Sequence, residues 1–213
     1  MNNELDDSIQ IKQPKESKVG SIIVSVLASV MIFLMAVVII LNTFVFIMVE
    51  VQGESMQPTL YTGDCLVANK NSKLDYSDII VVDAGDKLLI KRVIALGGDT
   101  IMLDLEGNVL LKKQGQKDFV LLDETSYLGD GVITTVPPNS ENCWELKANQ
   151  VFYMGDNRGN SADCRDTGPC DVSKVIGVVP AWALKKRESI KKVNKFVKKI
   201  NLLKANVKGC FTK

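Results

Sequence analysis

The sequence contains no histidine. That absence removes the Ser-His-Asp and Cys-His routes to nucleophilic catalysis and every metal site built on imidazole. A nucleophile in this chain must find its base elsewhere, and lysine is the usual substitute. The five cysteines, Cys65, Cys143, Cys164, Cys170 and Cys210, include no Cys-x-x-Cys pair, which leaves zinc-ribbon and thioredoxin-like chemistry without a motif. An odd count leaves at least one thiol unpaired. Cys164 and Cys170 are close enough in sequence for a loop disulfide in an oxidising compartment; free or buried thiols are the alternative.

Charge is missing from residues 19–49, a run of 31 positions. A helix needs about 20 apolar residues to cross a bilayer, so this run spans one with length to spare for tilt. It exceeds the ~7–15 residues of a cleavable signal's apolar region, and no small-x-small site follows closely. An uncleaved anchor over 19–49 is the expectation, preceded by a polar, disordered lead over 1–18. Lys12, Lys15 and Lys18 precede the run, and Glu50 and Glu54 follow it. The positive-inside rule then puts the N-terminus in the cytoplasm and the remainder outside.

Beyond the anchor there is no repeat and no long helical period before residue 185. Short apolar runs at 65–68, 79–82, 88–96, 108–111, 119–122, 131–136, 151–154 and 175–179 alternate with Gly, Asp and Asn. They predict strands, and residues 50–184 as a mainly β domain, an antiparallel sandwich or partly open barrel. The tail over 185–213 differs again. It holds 11 Lys and Arg against one acid, Glu188, in a chain of net charge +1. Ile190, Val193, Phe196, Val197, Ile200, Leu203 and Val207 recur in it at three- and four-residue spacing. That is a basic amphipathic helix, suited to a membrane surface or to packing on the β domain.

Three stretches carry chemistry. In Gly53-Glu54-Ser55-Met56-Gln57-Pro58-Thr59, Ser55 lies six residues past the apolar run, at most about 20 Å of extended chain, so it stays near a membrane face. Gly53 permits close backbone approach and Pro58 stiffens the exit, although a serine in such a loop is usually just a turn residue. In Leu88-Leu89-Ile90-Lys91-Arg92-Val93-Ile94, a strand puts Leu89, Lys91 and Val93 on one face. Apolar neighbours desolvate Lys91 and lower its pKa, as a lysine base requires; a snorkelling edge lysine is the alternative. In the third, residues 154–165, Asp163 and Arg165 are suited to an ion pair, and Ser161 to a hydrogen bond that fixes a neutral lysine amine.

Taken together, Ser-Met-x-Pro-Thr at 55–59, Lys-Arg-Val at 91–93 and Gly-Asp-Asn-Arg-x-Asn-Ser-x-Asp-x-Arg at 155–165 resemble the boxes of bacterial type I signal peptidases, in the right order after a membrane anchor. Residues 76–82 look like that family's intervening strand. The resemblance spans about residues 20–182. It implies a mainly antiparallel β fold, Ser55 as nucleophile and Lys91 as general base. It also implies Ser161 as the lysine's positioning residue, and Asp163, Arg165 and Arg92 as supports. The implied substrates are exported preproteins cut after small-x-small motifs, on the extracytoplasmic face of a bacterial cell membrane, with no metal or other cofactor and no nucleic-acid partner. Two departures stand out. Some members carry a serine at the position of Gly53 and use its hydroxyl in the oxyanion hole; here the hole rests on backbone N–H groups. Cys164 stands where serine is usual.

Three other readings remain at this level. One is a specialised processing peptidase, for instance in pilus assembly. Another is a non-catalytic assembly protein of the same fold, for which the Ser55 and Lys91 pair has no chemical need. The third is a nucleic-acid binder, for which the tail lacks interleaved aromatics apart from Phe196 and Phe211.

Overall fold

The structure, a computed structural model, describes residues 18–129, 131–138 and 140–210. The expected polar lead over 1–18 lies, Lys18 apart, outside these residues. The chain divides into two units, Met1–Thr43 and Phe44–Lys213.

The first unit is the apolar helix α1, whose full extent is Lys18–Val45. At 1.5 Å per residue its 28 residues run about 42 Å. Within it Val19–Ile40 is long and apolar enough to cross a membrane, and none of it is buried inside the protein. Ser29 returns its hydroxyl to the carbonyl of Ser25 at 2.9 Å, so this polar group is satisfied within the helix. The helix stops at Val45, short of the expected anchor end at residue 49. Residues 46–49 are instead drawn into strand β1 (Phe46–Glu50), whose apolar and β-branched residues pair antiparallel with β2 (Cys65–Asn69), from Phe46 opposite Asn69 to Glu50 opposite Cys65.

The second unit is mainly antiparallel β. After β2 come β3 (Ile79–Asp83), β4 (Leu88–Ala95), β5 (Thr100–Leu103), β6 (Val109–Lys112), β7 (Val120–Leu121), β8 (Cys143–Glu145) and β9 (Gln150–Met154). They are followed by a short helix α2 (Cys164–Thr167), β10 (Cys170–Asp171), β11 (Val175–Val179), α3 (Ala181–Lys185) and α4 (Arg187–Cys210). Seven strands form one open sheet in the order β1-β2-β11-β3-β4-β9-β10, and four form a second in the order β7-β6-β5-β8. Seven of the eight expected strand runs are strands. The exception is 131–136, which has no ladder. There Thr134 N–H donates to Gly107 O at 3.1 Å, and the Thr135 carbonyl accepts from the Arg165 guanidinium at 3.2 Å, so its backbone is satisfied by a turn and a side chain. Strands β1, β5, β8 and β10 were not read from the sequence; two are two or three residues long, too short for any alternation to register.

Strand β3 explains the core. Its four consecutive apolar residues are buried on both faces, as a central strand requires. Ile80 and Val82 join Val93, Ile101, Trp144 and Phe152 in the cluster that gathers residues of both sheets. Ile79 and Val81 join Met56, Leu60, Leu66 and Ala183 in a second cluster. Each buried Val, Leu, Ile, Met or Phe side chain among these contributes about 1.5–3 kcal/mol. The second cluster fixes the site, because buried Val51 precedes Ser55 and completely buried Met56 and Leu60 follow it.

Candidate active site

Ser55 is half-buried in that loop. Gly53, two residues before it, has φ +88°, a conformation that a serine could adopt only under strain. The peptide before Pro58 is cis. Beside Ser55 opens a cleft of about 260 Å³, lined by Gln52, Ser55 and Met56 on one side and by Leu88, Leu89 and Ile90 of β4 on the other.

Lys91 follows directly on β4, where its backbone lies opposite Ile80. Its side chain is only 2% exposed. The amine Nζ donates to Ser161 Oγ at 2.9 Å. Burial holds the Lys91 pKa below the usual lysine value of 10.5; Asp163 and Asp156 pull it back up, while Arg165 and Lys87 push it further down. The local reading of Lys91 as a desolvated lysine therefore matches its environment, and the snorkelling alternative does not.

Gly155 joins the two groups. A Cβ built there would collide with the Ser161 hydroxyl and the Ser55 carbonyl, and would stand 2.6 Å from Ser161 Cβ. Ser55 and the Lys91-bound Ser161 thus lie against one residue that must be glycine. Asn157 braces the same loop: its N–H donates to Ser55 O at 3.0 Å and its amide to Glu54 O at 3.1 Å.

Asp163 and Arg165 form the expected ion pair, with Nε to Oδ1 at 2.8 Å and Nη2 to Oδ2 at 2.9 Å, both side chains buried. Asp163 also caps α2 and accepts from Gly155 N–H at 2.9 Å. Burial works to raise its pKa, but the hydrogen bonds and charge of Arg165, with those of Gly155 and Ser161, hold it below the usual carboxylate value. The Arg165 guanidinium continues to the carbonyls of Arg158 and Ser161, at 2.8 and 3.4 Å. The Ser161 segment is therefore held from its backbone side.

Arg92 points to a different partner. It forks onto Asp156, Nε to Oδ1 at 2.8 Å and Nη2 to Oδ2 at 2.6 Å, and its plane lies 4.0 Å over the Tyr127 ring. Asp156 also accepts from Thr59 Oγ1 at 2.5 Å. Asp156 thereby ties together the loop of Ser55, the strand of Lys91 and the loop of Ser161. Its role is not legible from the box it belongs to, and neither are those of Thr59, Gly155 and Asn157. Glu124 was missed altogether; it takes the Arg158 guanidinium, with Nη1 to Oε2 at 2.9 Å and a second contact from Nη2 to Oε1. No local pattern around Glu124 marks it.

Cys164 and Cys170 are both free thiols, not a disulfide. Cys164 is completely buried, and its sulfur accepts from Tyr153 N–H at 3.4 Å. Burial pushes its thiol well above the ordinary range.

Ser55 lines a cleft with the strand that carries Lys91, and the Ser161 hydroxyl that takes the Lys91 amine meets the Ser55 carbonyl at Gly155. In agreement, the peptidase family described as signal peptidase, peptidase S26, matches residues 22–183. The chain belongs to that family. It is 30% identical over 178 residues to signal peptidase I P of Bacillus subtilis subsp. natto, covering 77% of this chain and 90% of that protein. It is 34% identical over 165 residues to signal peptidase I of Bacillus caldolyticus, covering 67% and 82%. The crystal structure of a signal peptidase I from Enterococcus faecalis V583 aligns with a TM-score of 0.39 at 21% identity, over 51% of this chain and 98% of that one.

Proposed function

We propose that this chain is a membrane-anchored serine endopeptidase that removes signal peptides from exported preproteins, with Ser55 as nucleophile and neutral Lys91 as general base. The observation that carries it is the buried amine of Lys91, held on the Ser161 hydroxyl at 2.9 Å and desolvated so that the ammonium is disfavoured. An amine whose pKa is lowered by burial is available as a proton acceptor at a lower pH than an ordinary lysine.

In the first half-reaction Lys91 Nζ takes the Ser55 proton as Oγ attacks the scissile carbonyl. The oxyanion is held by backbone N–H groups, that of Ser55 among them. The lysine proton then passes to the leaving amine, and the mature protein departs. In the second, water loses a proton to Lys91 and attacks the ester, which releases the signal peptide and restores Ser55. Ser161 positions the amine; Asp163 and Arg165 hold Ser161; Arg92 acts through Asp156 on the loop of Ser55. The cleft beside Ser55 receives the residues before the cut, with a small-x-small preference.

Helix α1 is the anchor, with the N-terminus in the cytoplasm and the β domain on the extracytoplasmic face of the cell membrane, where Ser55 meets a substrate whose own apolar segment sits in the same bilayer. The test is cleavage of a preprotein in proteoliposomes by the wild type, Ser55→Ala and Lys91→Met, with the cut site read by mass spectrometry. Cleavage after small-x-small by the wild type alone is expected. Activity in either variant would withdraw the pair, and a folded but inactive wild type would point to a specialised substrate or a scaffold.

A further inference from the structure

Helix α4 meets the β domain through polar side chains. Arg187 Nε and Lys191 Nζ lie 3.7 and 3.9 Å from the Asp64 carboxylate. Asn194 Nδ2 donates to Cys65 Sγ at 3.2 Å, and Lys198 pairs with Glu50. Steps of four, three and four place these residues on one stripe. Phe196, on the opposite side of the turn with Val193 and Val197 flanking it, is 65% exposed, and these two are 56% and 45% exposed. A helix that served the core would do the reverse; among the described apolar side chains of α4, Ile190 alone packs inward.

The occupant of that face follows from charge and from place. Lys192, Lys195 and Lys199 are exposed beside the apolar residues, and Glu188 is the sole acid from residue 185 onward. A second copy would bring the same positive charge against it, and a nucleic acid would leave the apolar face without a partner. An anionic lipid surface satisfies both halves. Place agrees: β1, which holds Glu50, begins one residue after α1 ends. The exposed Trp182 of α3 sits edge-on to Phe46, ring centroids 6.5 Å apart, and tryptophan is enriched at membrane interfaces.

We propose that α4 is an in-plane membrane helix, with Val193, Phe196 and Val197 at the acyl boundary and its lysines among anionic headgroups. Through the pairing of Lys198 with Glu50, a residue that also lines the cleft of Ser55, it holds that cleft at headgroup depth. The inference rests on the reading of α1 as a membrane anchor.

The test uses the full-length chain in vesicles of phosphatidylglycerol and phosphatidylcholine with brominated acyl chains. Phe196→Trp adds a fluorophore, read as the difference from the wild type. Brominated lipid should quench the added emission about twofold, as insertion to the acyl boundary implies. The quenching should fall when phosphatidylcholine alone is used, or when Lys192, Lys195 and Lys199 are changed together to Gln. Emission indifferent to brominated lipid would overturn the proposal, as would quenching indifferent to both lipid charge and the lysines. Shielding from aqueous iodide without lipid quenching, relieved on dilution, would assign the face to a second copy and overturn it too. Alkaline carbonate separates the two readings. A chain stripped from vesicles overturns the anchor, whereas a retained chain with unquenched emission overturns the in-plane helix alone.

Discussion

Replacing Asp156 by Asn removes one partner of a buried ion pair and leaves the other in place. Asp156 is 2% exposed and Arg92 7%, and two hydrogen bonds of 2.8 and 2.6 Å join them. The guanidinium has a third contact, from Nη1 to Ser77 O at 2.9 Å, which does not neutralise its charge. An uncompensated buried charge costs about 3–5 kcal/mol. Against a typical domain stability of about 5–15 kcal/mol that is a large share. With a guanidinium-chloride slope near 4 kcal/mol per M, the unfolding midpoint should drop by about 1 M. The measurement is chemical denaturation of the chain in detergent, followed by circular dichroism. Changing both residues to leucine should recover part of the loss, because no orphan charge remains; the residual deficit, about 1–3 kcal/mol, is that of two lost hydrogen bonds, to Thr59 Oγ1 and to Ser77 O. A cost under about 1 kcal/mol for Asp156→Asn, or strict additivity in the Arg92 and Asp156 cycle, would refute the claim that this pair clamps the three segments.

Further outcomes follow from the site. With Lys91 as base, single-turnover cleavage should rise with pH to a midpoint below the ordinary 10.5, and Ser161→Ala should slow it about tenfold, the worth of one hydrogen bond, with Thr restoring most of the rate. The linked stability has a definite sign: between the folded Lys91 pKa and 10.5 the unfolded chain holds a proton that the native chain lacks, so stability should increase with pH across that window in denaturation midpoints. Asp163 acts at the other end of the scale, its contribution intact above the unfolded value of 3.8 and lost as pH falls through its lower folded value. Gly155→Ala should cost about 1–3 kcal/mol, measured by thermal unfolding, and should abolish cleavage, because the new methyl group meets the Ser55 carbonyl and the Ser161 hydroxyl. An active alanine variant would show that the two segments do not need their present approach.

The mainly β fold could be read because its strands are short apolar runs between turn residues, and the failure at 131–136 has the same origin. That run satisfies the pattern, but its backbone partners are Gly107 and the Arg165 side chain, which no pattern in the run encodes. The site divides in the same way. Lys91 could be read as desolvated because apolar residues stand on both sides of it in β4. Asp156 could not be given a role, because what it does depends on partners 64 and 97 positions away. Those partners meet only once β4 and β9 are paired, with Arg92 opposite Met154.

For the same reason a helix can be amphipathic in sequence and still sit the other way round. Periodicity shows that α4 has an apolar side; it does not show which side the neighbour accepts. Leu66 and Ala68 of β2 are already buried in a cluster with Met56, Leu60 and Ala183, so that strand offers α4 little apolar surface. What it and its surroundings do offer is Asp64, Cys65 and Glu50, which take Arg187, Lys191, Asn194 and Lys198. Both carboxylates face the cationic stripe. If they set the orientation, then Asp64→Lys combined with Glu50→Lys should release α4 from the β domain while leaving its helicity intact, and protease cleavage near residue 186 should accelerate in detergent. Unchanged protection would mean that Ile190 and the junction with α3 hold the helix without them.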